Sequence, residues 1–134
     1  MSFAELACLA LTVYFEARNQ PERGQIAVAV VVMNRVDSWK YPDTVCEVVQ
    51  QSSKPGLNHC QFSYFCDGLE ELATDEEALN QAMWVAILVG AEKATIPQLE
   101  GVLHYGNPIT GRLWWKNHMT LVTTIGDHEF YLDD

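Results

Sequence analysis

Ser2-Phe3-Ala4-Glu5-Leu6-Ala7-Cys8-Leu9-Ala10-Leu11-Thr12-Val13-Tyr14-Phe15-Glu16 carries a helix start and an apolar stripe in one run. Ser2-x-x-Glu5 is a capping box, in which the serine oxygen and the glutamate satisfy orphan amides of the first turn. Leu6, Leu9 and Val13 then recur at three-to-four spacing, the period of a helix with one buried face. The same signature returns twice. Thr44-x-x-Glu47 predicts a short helix to about Gln51, and Thr74-x-x-Glu77 a long one with Leu79, Ala82, Met83, Ala86 and Gly90 on one face. A fourth helix is expected from about Glu22 to Val36, opening after Pro21. Its valines also suit a buried strand, but its length without a breaker favours a buried helix.

After Pro97 the pattern changes. Val102 to Tyr105, Leu121 to Ile125 and Glu129 to Leu132 are strand-like, and Gly126-Asp127 between the last two predicts a hairpin. Between the third and fourth helices, residues 52–68 read as a loop-rich stretch containing a short aromatic strand, Gln61 to Phe65. The expected fold is α+β, mostly helical, one domain over residues 1–134 with a small late sheet, and free of repeats or linkers.

Composition narrows the function classes. Of 134 residues 49% are apolar and 19% charged, which supports a buried core and excludes disorder for the bulk of the chain. The longest apolar run, Ile26 to Met33, has eight residues, far short of the roughly 20 that span a bilayer. The amino terminus shows neither a cationic segment nor a separate apolar one, so no signal peptide is visible and synthesis as a soluble protein is expected. Eighteen acids against eight bases leave a formal net charge of −10. There is no basic stripe for nucleic acid and no attraction to anionic membranes or wall polymers.

Cysteines stand at 8, 46, 60 and 66. Cys8, inside an apolar helical run, reads as a buried small hydrophobe. For Cys46, Cys60 and Cys66, a structural disulfide and free thiols both stand as readings. The spacing does not fit a zinc knuckle, and His59 beside Cys60 is thin support for a metal. His104, His118 and His128 are too far apart to imply one. The acids from Asp67 to Glu77 lack the alternation and glycine of a calcium loop. No metal and no cofactor are expected.

The residue that stands out is Glu16. The stripe Leu6, Leu9, Val13 continues onto it, so its carboxyl points the way the apolar face points. It sits at the carboxyl end of its helix, before the turn Arg18-Asn19-Gln20-Pro21. Partial burial and the negative end of the helix dipole both disfavour the charged form, as a general acid requires. The competing reading is a structural salt bridge to Arg18, Arg23 or Arg35. Tyr105, Trp114 and Trp115, in a stretch punctuated by glycine and proline, are suited to stacking on sugar rings or to covering the core.

These motifs resemble the SleB-like cell-wall hydrolases, a family that includes spore-cortex-lytic enzymes and related phage and bacterial domains. The resemblance lies in Tyr14-Phe15-Glu16-Ala17-Arg18-Asn19-Gln20, Gly24-Gln25-Ile26-Ala27-Val28-Ala29, Asn34-Arg35-Val36 and Tyr41-Pro42. It continues through Thr44 to Val49, Cys60-Gln61-Phe62-Ser63, Cys66-Asp67-Gly68, His104-Tyr105, Pro108, Trp114/Trp115 and Gly126 to Tyr131. It implies a lysozyme-like or lytic-transglycosylase-like fold that cuts peptidoglycan glycan strands between N-acetylmuramic acid and N-acetylglucosamine. The family's acid maps onto Glu16; Phe15 stands where many relatives carry glycine.

On that resemblance Glu16 is the general acid and base of a lytic transglycosylase. Gln61, Phe62, Ser63, Tyr105, Trp114, Trp115 and His128 are the expected substrate-binding residues. A hydrolytic muramidase would need a second carboxylate such as Asp127, Glu129 or Asp67. A rival of another class is an inactive peptidoglycan-binding module; a metal-binding scaffold has least support. The expected setting is phage-driven lysis by a monomeric endolysin, made in the host cytoplasm and acting on the cell wall in the periplasm or envelope.

Overall fold

Capping and burial together explain where the helices begin and how they pack. The computed structural model describes residues 1–51, 73–111, 113 and 115–133. Helix α1 spans Phe3–Ala17, α2 Glu22–Val36, α3 Val45–Gln50 and α4 Glu76–Ala86, the last continuing as a wider turn over Ile87–Ala91. Strands β1 (His104–Gly106), β2 (Met119–Ile125) and β3 (His128–Asp133) follow. The fold is the expected one, mostly helical with a small antiparallel sheet.

Ser2 caps α1, its Oγ accepting from the Glu5 amide at 3.2 Å. Glu5 does not turn back to complete the box. Its carboxylate reaches across to the start of α3, accepting from the amides of Val45 at 2.7 Å and Cys46 at 3.3 Å. An anion at that helix end satisfies orphan donors and meets the positive end of the dipole. Thr44 caps α3 as expected and donates to the Glu47 carboxylate at 2.8 Å. The third box is displaced: Asp75, not Thr74, caps α4, its Oδ1 accepting from the Ala78 amide at 3.1 Å. The two candidates are adjacent, and an aspartate caps as well as a threonine.

Cys8 also departs from expectation. It is no free hydrophobe but is disulfide-bonded to Cys46, with the Cα atoms 5.3 Å apart, and so staples α1 to α3. The helical stripe reveals which face Cys8 occupies but not what lies opposite. Cys60, Cys66, His59 and the aromatic strand from Gln61 to Phe65 lie outside the described residues.

Helix α2 is the central rod, with a continuous buried run from Ala27 to Val32. Leu9 and Val13 of α1, Val45 and Val48 of α3, Val85 of α4 and Phe130 of β3 join it in one apolar cluster. Gly90 marks a close approach of the α4 extension to α1, since a Cβ there would meet Leu9 at 3.1 Å. The sheet runs β1-β3-β2, all antiparallel, with Tyr105 opposite Phe130 and Ile125 opposite His128. Gly126, at φ +58°, and Asp127 form the expected hairpin turn.

Candidate active site

The last turn of α1 presents Glu16, half-buried, towards strand β1. Tyr105 on β1 donates its hydroxyl to Glu16 Oε1 at 2.8 Å. The tyrosine is held by its own neighbours: its ring stacks on Phe130 at 5.8 Å and meets the edge of His128 at 5.1 Å. Tyr105, Phe130 and His128 therefore share one face of the sheet, as the β1–β3 register requires. Burial pushes the His128 imidazole below its ordinary value, partly opposed by the Asp127 charge, so the ring is neutral near pH 7. Its Nδ1 is buried and without a hydrogen-bond partner among the described residues.

These groups border a cleft of about 730 Å³ whose walls include Phe15, Glu16, Arg35, Tyr105, Asp127 and His128. The β1–β2 loop closes one side, with Asn107 Oδ1 accepting from the amides of Ile109 and Thr110. At the opposite rim, Gln20 ties the α1–α2 turn to the hairpin. Its Nε2 donates to Asp127 Oδ2 at 3.0 Å, and its Oε1 accepts from the Asp127 amide at 2.9 Å. Gly126 leaves room for this, because a Cβ there would overlap the Gln20 amide.

Of the arginines weighed as salt-bridge partners of Glu16, Arg18 donates to the Tyr14 hydroxyl at 2.8 Å. Arg23 reaches Gln98. Arg35 alone lines the cleft with Glu16, and its Nε donates to the Leu103 carbonyl at 2.8 Å. Burial lowers the Arg35 pKa, with the charges of Tyr41, Tyr105, Glu16 and Asp133 acting the other way; the guanidinium stays protonated.

The structure thus brings together Glu16, Tyr105 and His128 from the expected site and, of the carboxylates named for a hydrolytic reaction, Asp127. Trp115 is not among the residues lining this cleft. It stands edge-on to Tyr131 at 5.3 Å and near His104 at 5.8 Å. Glu129 accepts from the Tyr131 hydroxyl at 2.7 Å, on the sheet face opposite His128 and Phe130. Gln61, Phe62, Ser63, Asp67 and Trp114 lie outside the described residues. Sequence reasoning missed Gln20, whose partner is 107 positions away and leaves no local signal. Arg35 as a wall of the cleft had a signal, the single basic residue in the last turn of a helix with a long apolar run.

Comparison with known proteins identifies the family. The model of the cell wall hydrolase family matches residues 19–131. The chain belongs to that family. Glu16 lies just ahead of the matched span, so its place in the cleft is argued from the structure. Among other members of known structure, the catalytic domain of the germination-specific lytic transglycosylase SleB from Bacillus anthracis is 31% identical, with a TM-score of 0.72. That match covers 98% of this chain and 96% of that one. The Bacillus cereus SleB catalytic domain gives a TM-score of 0.69 at 30% identity, covering 97% and 91%. The spore cortex-lytic enzyme of Bacillus subtilis (strain 168) is 31% identical over 126 residues, 94% of this chain and 37% of that protein. That of Halalkalibacterium halodurans is 30% identical, again over 94% of this chain and 34% of the relative. The chain spans little more than a third of these two relatives' length.

Proposed function

We propose that the chain cleaves peptidoglycan glycan strands between N-acetylmuramic acid and N-acetylglucosamine as a lytic transglycosylase, with Glu16 as its acid and base. The observation that carries this is the half-buried Glu16, oriented by the Tyr105 hydroxyl at 2.8 Å inside a cleft, in a member of the cell wall hydrolase family. Likeness to the catalytic domain of a lytic transglycosylase supports the same reading.

Glu16 gives its proton to the bridging oxygen as the bond to the muramyl C1 breaks. The substrate's own acetamido oxygen steadies the developing cation. Glu16, now a carboxylate, takes the proton of the muramyl 6-hydroxyl while that oxygen bonds to C1. The acid is regenerated, a 1,6-anhydro ring forms and no water is consumed. His128, neutral and on the wall, and the Asp127 carboxylate offer hydrogen bonds to sugar hydroxyl and acetamido groups. Gln61, Phe62, Ser63, Trp114 and Trp115 belong to the proposed substrate-binding set on resemblance alone.

A hydrolytic muramidase is the second reading, and Asp127 favours it, being a second carboxylate on the same cleft. Product mass decides. Purified peptidoglycan digested by the wild type and by Glu16→Gln should give anhydromuramyl ends, lighter by one water, from the wild type alone. Reducing muramic ends would turn the assignment to hydrolysis with Asp127 as partner. No Glu16-dependent product would favour a binding module. A monomer serving phage-driven lysis from within completes the proposal, supported by an acidic surface ill suited to approaching an anionic envelope from outside.

A further inference from the structure

Arg35 is a buried cation on the wall of a cleft whose proposed chemistry does not yet employ it. Only 5% of its surface is exposed. A guanidinium buried this far is costly unless opposite charge and hydrogen bonds compensate it. Its place is fixed from several directions. Nε donates to the Leu103 carbonyl at 2.8 Å, and the guanidinium carbon stands 5.0 Å from the centre of the Tyr41 ring. One residue earlier, Asn34 donates to the carbonyls of Leu99 and Val102 at 2.8 and 2.9 Å. The last turn of α2 thereby holds the backbone leading into β1, the strand that carries Tyr105.

The groups that work against loss of the Arg35 proton come from four places: Tyr41 after α2, Tyr105 on β1, Glu16 on α1 and Asp133 on β3. Asp133 is engaged by His104 at 2.9 Å and Lys40 at 3.3 Å. Glu16 and Tyr105 share the cleft with Arg35, together with Asp127 and His128. His104 is the further titratable group within reach of the Arg35 charge, which disfavours its protonation.

We propose that Arg35 is a positioning residue for Glu16: a fixed guanidinium that favours the carboxylate once the acid has given up its proton, and so governs how readily that proton leaves and returns. This rests on Glu16 being the acid of the proposed reaction. Partial burial and a place at the carboxyl end of a helix both work against a carboxylate, and Glu16 has both. A single group that must give a proton and then take one works best when its two states lie near balance at the working pH. Arg35 supplies the opposing influence. An arginine suits the task because it stays charged when buried, where a lysine readily loses its proton.

The test is a carbon-13 titration of the glutamate carboxyls in the whole chain, wild type and Arg35→Gln, alongside pH–rate profiles on purified peptidoglycan. The Glu16 midpoint should rise by about one pH unit or more in Arg35→Gln. The alkaline limb of its rate profile should move up by the same amount, because the acid stays protonated to higher pH. Arg35→Lys, tested below the lysine's own titration, should leave the midpoint near that of the wild type. An unmoved midpoint in a folded Arg35→Gln overturns the proposal. A wild type that releases no Glu16-dependent fragments overturns the proposed reaction instead, while the titration still decides the role of Arg35. Should Arg35→Gln fail to fold, Glu16→Gln carries the test. The nitrogen-15 resonance of the Arg35 guanidinium Nε–H should shift through the Glu16 titration in the wild type and stay still in Glu16→Gln; a resonance that does not respond to that titration overturns the proposal.

Discussion

Helix α1 carries two glutamates, and its two ends put the same side chain to opposite uses. Glu5, in the first turn, lays its carboxylate on the amides of Val45 and Cys46, beside the disulfide joining Cys8 to Cys46. Both amides donate to it, and the contacts tie α1 to α3. Glu16, in the last turn, meets the Tyr105 hydroxyl at the edge of a cleft and faces the negative end of its own helix. One end is a structural anchor. The other leaves a carboxyl on the cleft, placed for the proposed proton exchange. Position along one helix, more than residue type, separates the two roles.

The sharpest way to break this contrast is to remove each acid in turn. Glu16→Gln should lose at least about 10²–10⁴-fold in cleavage, the usual contribution of a general acid, while keeping its fold. Peptidoglycan turbidity clearing and circular dichroism read the two halves of that statement. At the anchored end, Cys8→Ser or reduction should cost about 2–4 kcal/mol of stability by freeing a loop between residues 38 positions apart. Denaturant unfolding with and without reductant measures this, and the activity of the folded fraction should be unchanged. Glu5→Ala should cost about 1–3 kcal/mol, the range for hydrogen bonds to a charged acceptor, again without altering the rate per folded molecule. A rate loss in Glu5→Ala beyond its loss of folded protein would erase the distinction between the two ends.

Smaller effects sharpen the cleft side. Tyr105→Phe removes one hydrogen bond of roughly 0.5–1.5 kcal/mol, so cleavage should fall by up to about tenfold with little change in melting. His104 and His128 both have pKa values lowered by burial, so the unfolded chain binds more protons than the folded one once pH drops below about 6.5. Stability should therefore decline as pH falls through that value, and His128→Gln should flatten the decline in melting temperatures measured between pH 7.5 and 5.

The same contrast explains what could be read from the sequence. Helices α1 to α4 announce themselves locally, through caps and apolar spacing, and the Gly126-Asp127 turn does so for β2 and β3. Glu16 was legible because its helical phase carries it onto the buried face. Its setting was not. Tyr105 lies 89 positions from Glu16, and Gln20 lies 107 from Asp127, pairings that only the assembled chain creates. Cys8 shows the limit well. Its run of apolar neighbours makes a buried hydrophobe the natural reading, yet the approach of α3, fixed by Glu5 and Thr44 at its first turn, places Cys46 opposite. The shift of the α4 cap from Thr74 to Asp75 is a smaller instance, since adjacent good caps compete on backbone geometry that the sequence does not state.

The most direct test of the two-ended helix measures fragment release from purified peptidoglycan by wild type, Glu16→Gln and Glu5→Ala, each normalised to its folded fraction at the assay temperature. The account predicts wild-type rates for Glu5→Ala and no release above background for a folded Glu16→Gln. A folded Glu16→Gln that cleaves at the wild-type rate would contradict it.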